Sequence, residues 1–210
     1  MPAHGPGTRP ANHVRSFTHA LSGVVCLLLV QHLLTPLTMI VVAALAFAGA
    51  WTMEISRRRS ERVNALLMRL FGPIAHAYEA KKVNSATWFV TALFLLTLTT
   101  SPLVCSLAVM VLGFGDPAAS YVGRRFGRHR ITTGRSVEGS LGFVVVAWVV
   151  AFLTLAVYYP HLPLAERIAL AASAAVFGAV GELVTLTFDD NLVVPLAAAA
   201  GAAVVAAAMG

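Results

Sequence analysis

The residues of this chain best suited to chemistry are carboxylates and arginines set at the edges of long apolar runs. Asp116 stands inside VLGFGDPAASYVGRRFGRHR (residues 111–130), where hydrocarbon gives way to a polycation. Glu54, Glu79, Glu138, Asp189 and Asp190 hold similar edge positions, and Glu182 lies within an apolar run. Glu182 and Asp189 are seven residues apart, which places them on the same face of a helix. An ionisable group inside a membrane span is costly and is a functional candidate by default. Arginine offers a planar fork of donors to phosphate oxygens, and Mg²⁺ usually takes one or two carboxylates together with substrate phosphates. Such residues gathered at one membrane face suit a polyanion and a divalent metal. Gly113, Gly115, Gly123, Gly127 and Gly134 punctuate the basic stretch, and a glycine-rich backbone can approach phosphates closely. The stretch is neither a Walker A loop, since no GKS or GKT is present, nor a Rossmann fingerprint.

These residues need elements to hold them, and the composition says which. The chain is 58% hydrophobic, and its 11% charged residues fall far below the roughly 25% of soluble domains, so it reads as a membrane protein. No Asp, Glu, Lys or Arg lies between Arg15 and Glu54, between Lys82 and Asp116, between Glu138 and Glu166, or after Asp190. A helix needs about 20 residues to cross the hydrocarbon. The first gap therefore holds two helices split at Thr35-Pro36. The second holds two short ones split at Ser101-Pro102, which either borrow flanking residues or are re-entrant. Residues 139–159, 167–187 and 191–209 supply one each, the last alanine-rich and suited to close packing. The expected fold is an all-α transmembrane bundle of about seven spans. A flexible tail covers 1–13, a single catalytic domain 14–210, and cytoplasmic loops 54–85 and 115–138. The apolar run after Arg15 has no clean small-residue cleavage site and reads as a retained span, not a signal peptide.

Arg57, Arg58, Arg59, Arg62, Arg69, Lys81 and Lys82 fall between the second and third spans, and Arg124, Arg125, Arg128, Arg130 and Arg135 between the fourth and fifth. With Arg9 and Arg15 they share one side of the membrane. The positive-inside rule makes that side the cytoplasm and puts the C-terminus outside. The net charge of +6 is then a signal of topology and of attraction to headgroups or phosphates, not of nucleic-acid binding. Val63, Leu66, Leu67, Leu70, Phe71 and Ile74 form a helical stripe that suits either the interface plane or a packed cytoplasmic helix.

Structural alternatives stay open for most of these residues. Asp116-Pro117 is a helix-start signature. Glu54 can pair with Arg57 and Arg58, and Glu138 with Arg135. Glu182 can bond a neighbouring span, Asp189-Asp190-Asn191 can be a turn, and His19 can be a core histidine. Cys26 and Cys105 read as small core residues. No histidine shows metal-ligand spacing.

GDPAASYVGRRFG, then GRSVEGS at 134–140, then GELVTLTFDDNLVVPL at 181–196, resemble the CTP-dependent lipid kinases, among them dolichol, phytol and CTP-dependent diacylglycerol kinases. RSFTH at 15–19 is similar to that family's Arg-Lys-x-x-His entry to its first helix, and Tyr78-Glu79 to the glutamate before its third span. The resemblance covers the chain from about residue 14 to its C-terminus. It implies transfer of the terminal phosphate of CTP to a lipid alcohol and, by position, implicates Asp116, Arg135, Ser136, Glu138, Gly139, Asp190 and Asn191. Arg135 stands where the family usually has lysine, and His76 where many members have arginine.

Residues and resemblance together suggest one mechanism. Asp116 and Asp190 hold Mg²⁺, with Asp189 and Glu138 nearby. Arg124, Arg125, Arg135, Gly134, Ser136, Gly139 and Asn191 bind the nucleotide, and Glu79 or Asp116 takes the alcohol proton. His19 and Glu182 are possible additions. The expected setting is the cytoplasmic membrane with the site facing the cytosol. Rival readings are a CTP:phosphatidate cytidylyltransferase and a non-enzymatic lipid transporter.

Overall fold

Several of the apolar runs begin on a short polar residue whose side chain satisfies the first turn. The computed structural model describes residues 13–33, 35–71, 82–99, 101–131, 134–184 and 188–209. Helix α1 (His13–Leu28) continues into a π turn over Leu29–Leu33. Thr35 caps α2 (Pro36–Arg59), its hydroxyl accepting the Thr38 N–H at 3.3 Å. Pro36 sits first in the helix, where its missing N–H costs nothing. A shorter α3 (Glu61–Phe71) follows. Asn84 caps α4 (Ser85–Thr97), Ser101 caps α5 (Pro102–Phe126), and Ser136 caps α6 (Val137–Tyr158). The last two helices are α7 (Leu164–Val184) and α8 (Asp190–Met209).

The protein is a helical membrane bundle. Six helices are long and apolar enough to cross a bilayer: α1 with its π turn, α2, α5, α6, α7 and α8. The seventh expected span corresponds to α4, whose 13 residues rise only about 20 Å, less than the hydrocarbon thickness. At the centre is α5. Every residue from Val104 to Gly113 is buried, as befits a helix that is apolar all round, and α1, α6, α7 and α8 surround it. Helix α7 packs closely on α8 at its glycines: a Cβ on Gly181 would lie 2.8 Å from the Ala197 Cβ, and one on Gly201 2.8 Å from the Phe177 Cβ. Outward-facing Leu37, Leu45, Leu153 and Val157 are exposed, as lipid-facing side chains are. Against α2, α4 packs through Phe47–Phe94 and Trp51–Trp88, with the Trp51 indole donating to Thr91 at 3.0 Å.

Two expectations change. Asp116-Pro117 does not start a helix, because α5 runs through it to Phe126. Pro117 forfeits only the bond to the Gly113 carbonyl, and the packing of Gly115 on Phe143 and of Gly123 on Gly139 carries the helix on. Of the loop expected over 115–138, residues 115–126 belong to α5 and 137–138 to α6, and among the described residues only 127–131 and 134–136 are non-helical. Glu54 takes the structural alternative. It is 2% exposed, holds Arg57 through two bonds of 2.8 and 2.9 Å, and accepts from Arg58 at 2.7 Å. The tail up to residue 12, Glu79, His76 and Ile74 lie outside the described residues. Within α3, Leu66 and Leu70 are exposed beside Arg62 and Arg69.

Candidate active site

Because the helices alternate in direction, the starts of α1, α4, α6 and α8 and the ends of α2, α5 and α7 meet at one end of the bundle. Cross-links there confirm the convergence. The Ser85 hydroxyl donates to Asp189 at 2.8 Å, joining α4 to α8. Arg135, just before α6, pairs with Glu182 of α7 and, at 2.7 Å, with Asp190 of α8.

A cavity of about 460 Å³ opens at this end, between the last turns of α5, residues Arg130 and Gly134 to Ser136, the start of α6, and the facing ends of α7 and α8. Its lining carries three guanidinium groups, from Arg124, Arg130 and Arg135, and three carboxylates, from Asp116, Glu182 and Asp190. Asp116, Ser120, Gly123 and Arg124 recur at helical spacing, so one face of α5 forms a wall. Ser136, Gly139 and Ser140 do the same for α6. Asp116 is half-buried and has no hydrogen bond or ion pair among the described residues. The Ser140 hydroxyl is also buried without a partner among them. A charged acceptor and a hydroxyl, both unspent and both lining one cavity, are groups set up for a ligand.

Close contact between α5 and α6 shapes this wall. A Cβ on Gly139 would meet the Ala119 carbonyl at 3.0 Å, the Ser136 hydroxyl at 3.1 Å and the Gly123 Cα at 3.2 Å. The Ser136 hydroxyl accepts the Gly139 N–H at 3.1 Å, so the cap and the crossing are one piece of structure. Gly139→Ala should therefore cost about 1–3 kcal/mol by overpacking. Thermal unfolding in detergent measures it, and substrate turnover should fall with it as the two walls separate.

In the connecting loop the Ile131 N–H donates to the Arg135 carbonyl at 2.8 Å and the Gly134 N–H to the Ile131 carbonyl at 3.0 Å. Gly134 has φ +76°, a conformation that glycine adopts at no steric cost. Its N–H is thus spent on the turn. Gly113, Gly115 and Gly123, read from sequence as a route to phosphate, serve chiefly to bring helices together.

Of the candidate residues, the cavity brings together Asp116, Arg124, Gly134, Arg135, Ser136, Gly139, Glu182 and Asp190. It does not include Glu138, which turns instead to His129 and accepts from its ring at 2.7 Å and its N–H at 3.2 Å. Arg125 is exposed outside the lining. Asp189 has both oxygens engaged: one accepts the Asn191 N–H at 3.0 Å as the cap of α8, and the other accepts from Ser85. His19 and Asn191 line a second cavity on the other side of the first turn of α8. Sequence reasoning passed over Ser120, Arg130 and Ser140 as site residues. Ser120 lies four residues after Asp116 and Ser140 four after Ser136, a spacing that marks a shared helix face.

No family model matches the chain, and no solved structure matches it significantly. Curated proteins do. Dolichol kinase sec59 of Schizosaccharomyces pombe is 34% identical over 90 residues, covering 42% of this chain and 17% of that protein. CTP-dependent diacylglycerol kinase 1 of the same organism is 24% identical over 167 residues, 75% of this chain and 77% of that protein. The dolichol kinase of Saccharomyces cerevisiae is 28% identical over 120 residues, 53% of this chain and 22% of that protein. The chain thus spans about a fifth of the dolichol kinases and about three quarters of the diacylglycerol kinase. Its curated homologues are dolichol kinases and a CTP-dependent diacylglycerol kinase, which is the CTP-dependent lipid kinase group that its motifs resemble.

Proposed function

We propose that this membrane protein transfers the γ-phosphate of CTP to a lipid alcohol. The observation that carries the reading is Asp116: a half-buried carboxylate with no bonding partner among the described residues, in a cavity ringed by arginines at one end of an apolar bundle. The relatives' names supply CTP and the lipid alcohol. The positive-inside rule places this end in the cytosol, where the nucleotide is.

Mg²⁺ suits the donor set. No three His, Cys, Asp or Glu side chains among the described residues approach closely enough to hold a metal alone. With CTP bound that is not required, since Mg²⁺ takes one or two carboxylates and completes its shell with phosphate and water. Asp116 and Asp190 would hold it, and its charge would offset that of the triphosphate. Arg124 and Arg130 neutralise phosphate oxygens. Arg135 has five N–H donors and remains able to reach the γ-phosphate while it holds Glu182 and Asp190. The Ser140 hydroxyl donates to an equatorial oxygen. In the transfer, the alcohol oxygen forms a bond to the γ-phosphorus and the β–γ bridging P–O bond breaks. CDP leaves with the electron pair, and the hydroxyl proton passes to Asp116. Catalysis here is positioning and charge stabilisation.

Purified protein in lipid nanodiscs, given Mg²⁺ and CTP labelled on the γ-phosphate, should yield labelled lipid and CDP from at least one member of a panel of prenols, polyprenols and diacylglycerol. Label released as pyrophosphate would instead establish a cytidylyltransferase. No labelled lipid with any nucleoside triphosphate would remove the kinase reading.

A further inference from the structure

A second cavity of about 460 Å³ lies between α1, α2, α4 and the start of α8. Its exposed wall is largely apolar, with Met53, Phe89 and Val90 on it, but most of its lining residues are polar or charged, His19 and Asn191 among them. The two cavities flank the first turn of α8, because Asp190 lines the first and its neighbour Asn191 the second. Helix α1 is pressed onto α5 where a Cβ on Gly113 would lie 3.1 Å from the His19 carbonyl and 3.2 Å from the Gly23 Cα. Gly113 is one turn before Asp116, so this contact brings His19 within electrostatic reach of Asp116 and Asp190. The cavity does not suit a polyanion: Arg57 is bound to Glu54 through two hydrogen bonds, and Arg15 donates to Ser85 at 3.4 Å. A mostly apolar wall edged by polar side chains suits a ligand with a polar head and an apolar body. Pro195 also contributes. It has no N–H, so the Asn191 carbonyl lacks its i+4 donor and can accept from a hydroxyl.

We infer that this second cavity is the acceptor site, which holds the hydroxyl of a lipid alcohol against His19 and Asn191 with the hydrocarbon between α1, α2 and α4. The inference rests on the phosphotransferase reading above and adds where, and by which residues, the acceptor is held. His19 is a binding residue in this arrangement. The hydroxyl oxygen approaches the γ-phosphorus past the first turn of α8, and the bonds made and broken are those of the transfer described above.

The test is photolabelling of the full-length protein in nanodiscs with two probes: a long-chain alcohol carrying a tail diazirine, and its methyl ether. The alcohol should label α2 and α4, the ether several-fold less. Excess plain prenol or diacylglycerol should suppress the labelling, and whichever competes better identifies the lipid class. Val90→Trp should abolish labelling and raise the acceptor KM at least tenfold, with the Kd for CTP unchanged. The milder Ala50→Leu should move the same quantities in the same direction. His19→Ala should raise the acceptor KM, with partial recovery in His19→Gln. Labelling confined to α6 and α7, equal labelling by alcohol and ether, or an unchanged acceptor KM in Val90→Trp would each overturn the assignment while leaving the kinase reading intact. Hydroxyl-dependent labelling of α2 and α4 in a protein that phosphorylates no alcohol would sustain the cavity as an alcohol site and remove the kinase reading.

Discussion

Asp116→Asn should lower phosphate transfer by roughly a thousandfold, within the range that one proton-accepting group contributes. The protein should remain folded and inserted, and the reasons are local. Asparagine has nearly the shape of aspartate, and Asp116 makes no hydrogen bond or ion pair among the described residues that folding would lose. It sits inside α5, not at its start, so no cap is removed. What disappears is a negative charge among Arg124, Arg130 and Arg135, together with a ligand for Mg²⁺ and an acceptor for the alcohol proton. Initial rates with γ-labelled CTP, set beside thermal unfolding in the same detergent, separate the two effects. A variant that turns over within a few-fold of the parent would leave the proton with another carboxylate, such as Glu79, and take the metal from Asp116.

The second large effect concerns Arg135, which ties three elements by pairing with Glu182 and Asp190. Glu182 is only 3% exposed. Taking a guanidinium away from a buried carboxylate is costly, and breaking a buried pair typically costs about 3–5 kcal/mol. Arg135 is itself 20% exposed, so about 2 kcal/mol is the more fitting figure for Arg135→Ala. Activity should fall further than stability, because the lost side chain also faces the phosphates. The double variant Arg135→Ala with Glu182→Gln removes the stranded charge. It should recover most of the unfolding temperature and almost none of the turnover. Recovery of both would make Arg135 a tie between helices and nothing more. Arg135→Lys is informative as well. An ammonium cannot span two carboxylates with a planar fork, so it should hold the fold better than alanine yet bind CTP less tightly than arginine.

Much of the architecture was legible in the order of residue types. Thr35-Pro36 and Ser101-Pro102 mark helix starts because a side-chain acceptor followed by proline suits the first turn, although the same signature at Asp116-Pro117 lies within α5. The charge-free gaps mark the apolar helices because hydrocarbon excludes charge. Asp116, Arg135 and Asp190 were recognisable as site candidates because carboxylates and arginines at the ends of apolar runs have few structural uses. Less legible was the sorting of neighbours. Asp189 and Asp190 are adjacent and alike in the sequence, yet one caps α8 and the other lines the cavity. Glu138 has the right type and the right motif, but its side chain closes on His129. The glycines of the basic stretch look like a phosphate loop until α5 and α6 are seen to cross on them.

The sequence by itself determined the class of protein, the helix starts at Thr35-Pro36 and Ser101-Pro102 and the kinds of groups available, since these follow from solvation and from the first turn of a helix. Only the tertiary structure decided which of those groups share a cavity. Direction along a helix depends on a 100° rotation per residue and on which partner helix approaches, so adjacent side chains diverge and distant ones meet. Arg135 and Glu182 are 47 positions apart yet form an ion pair, and Asp190 and Asn191 are consecutive yet face different cavities.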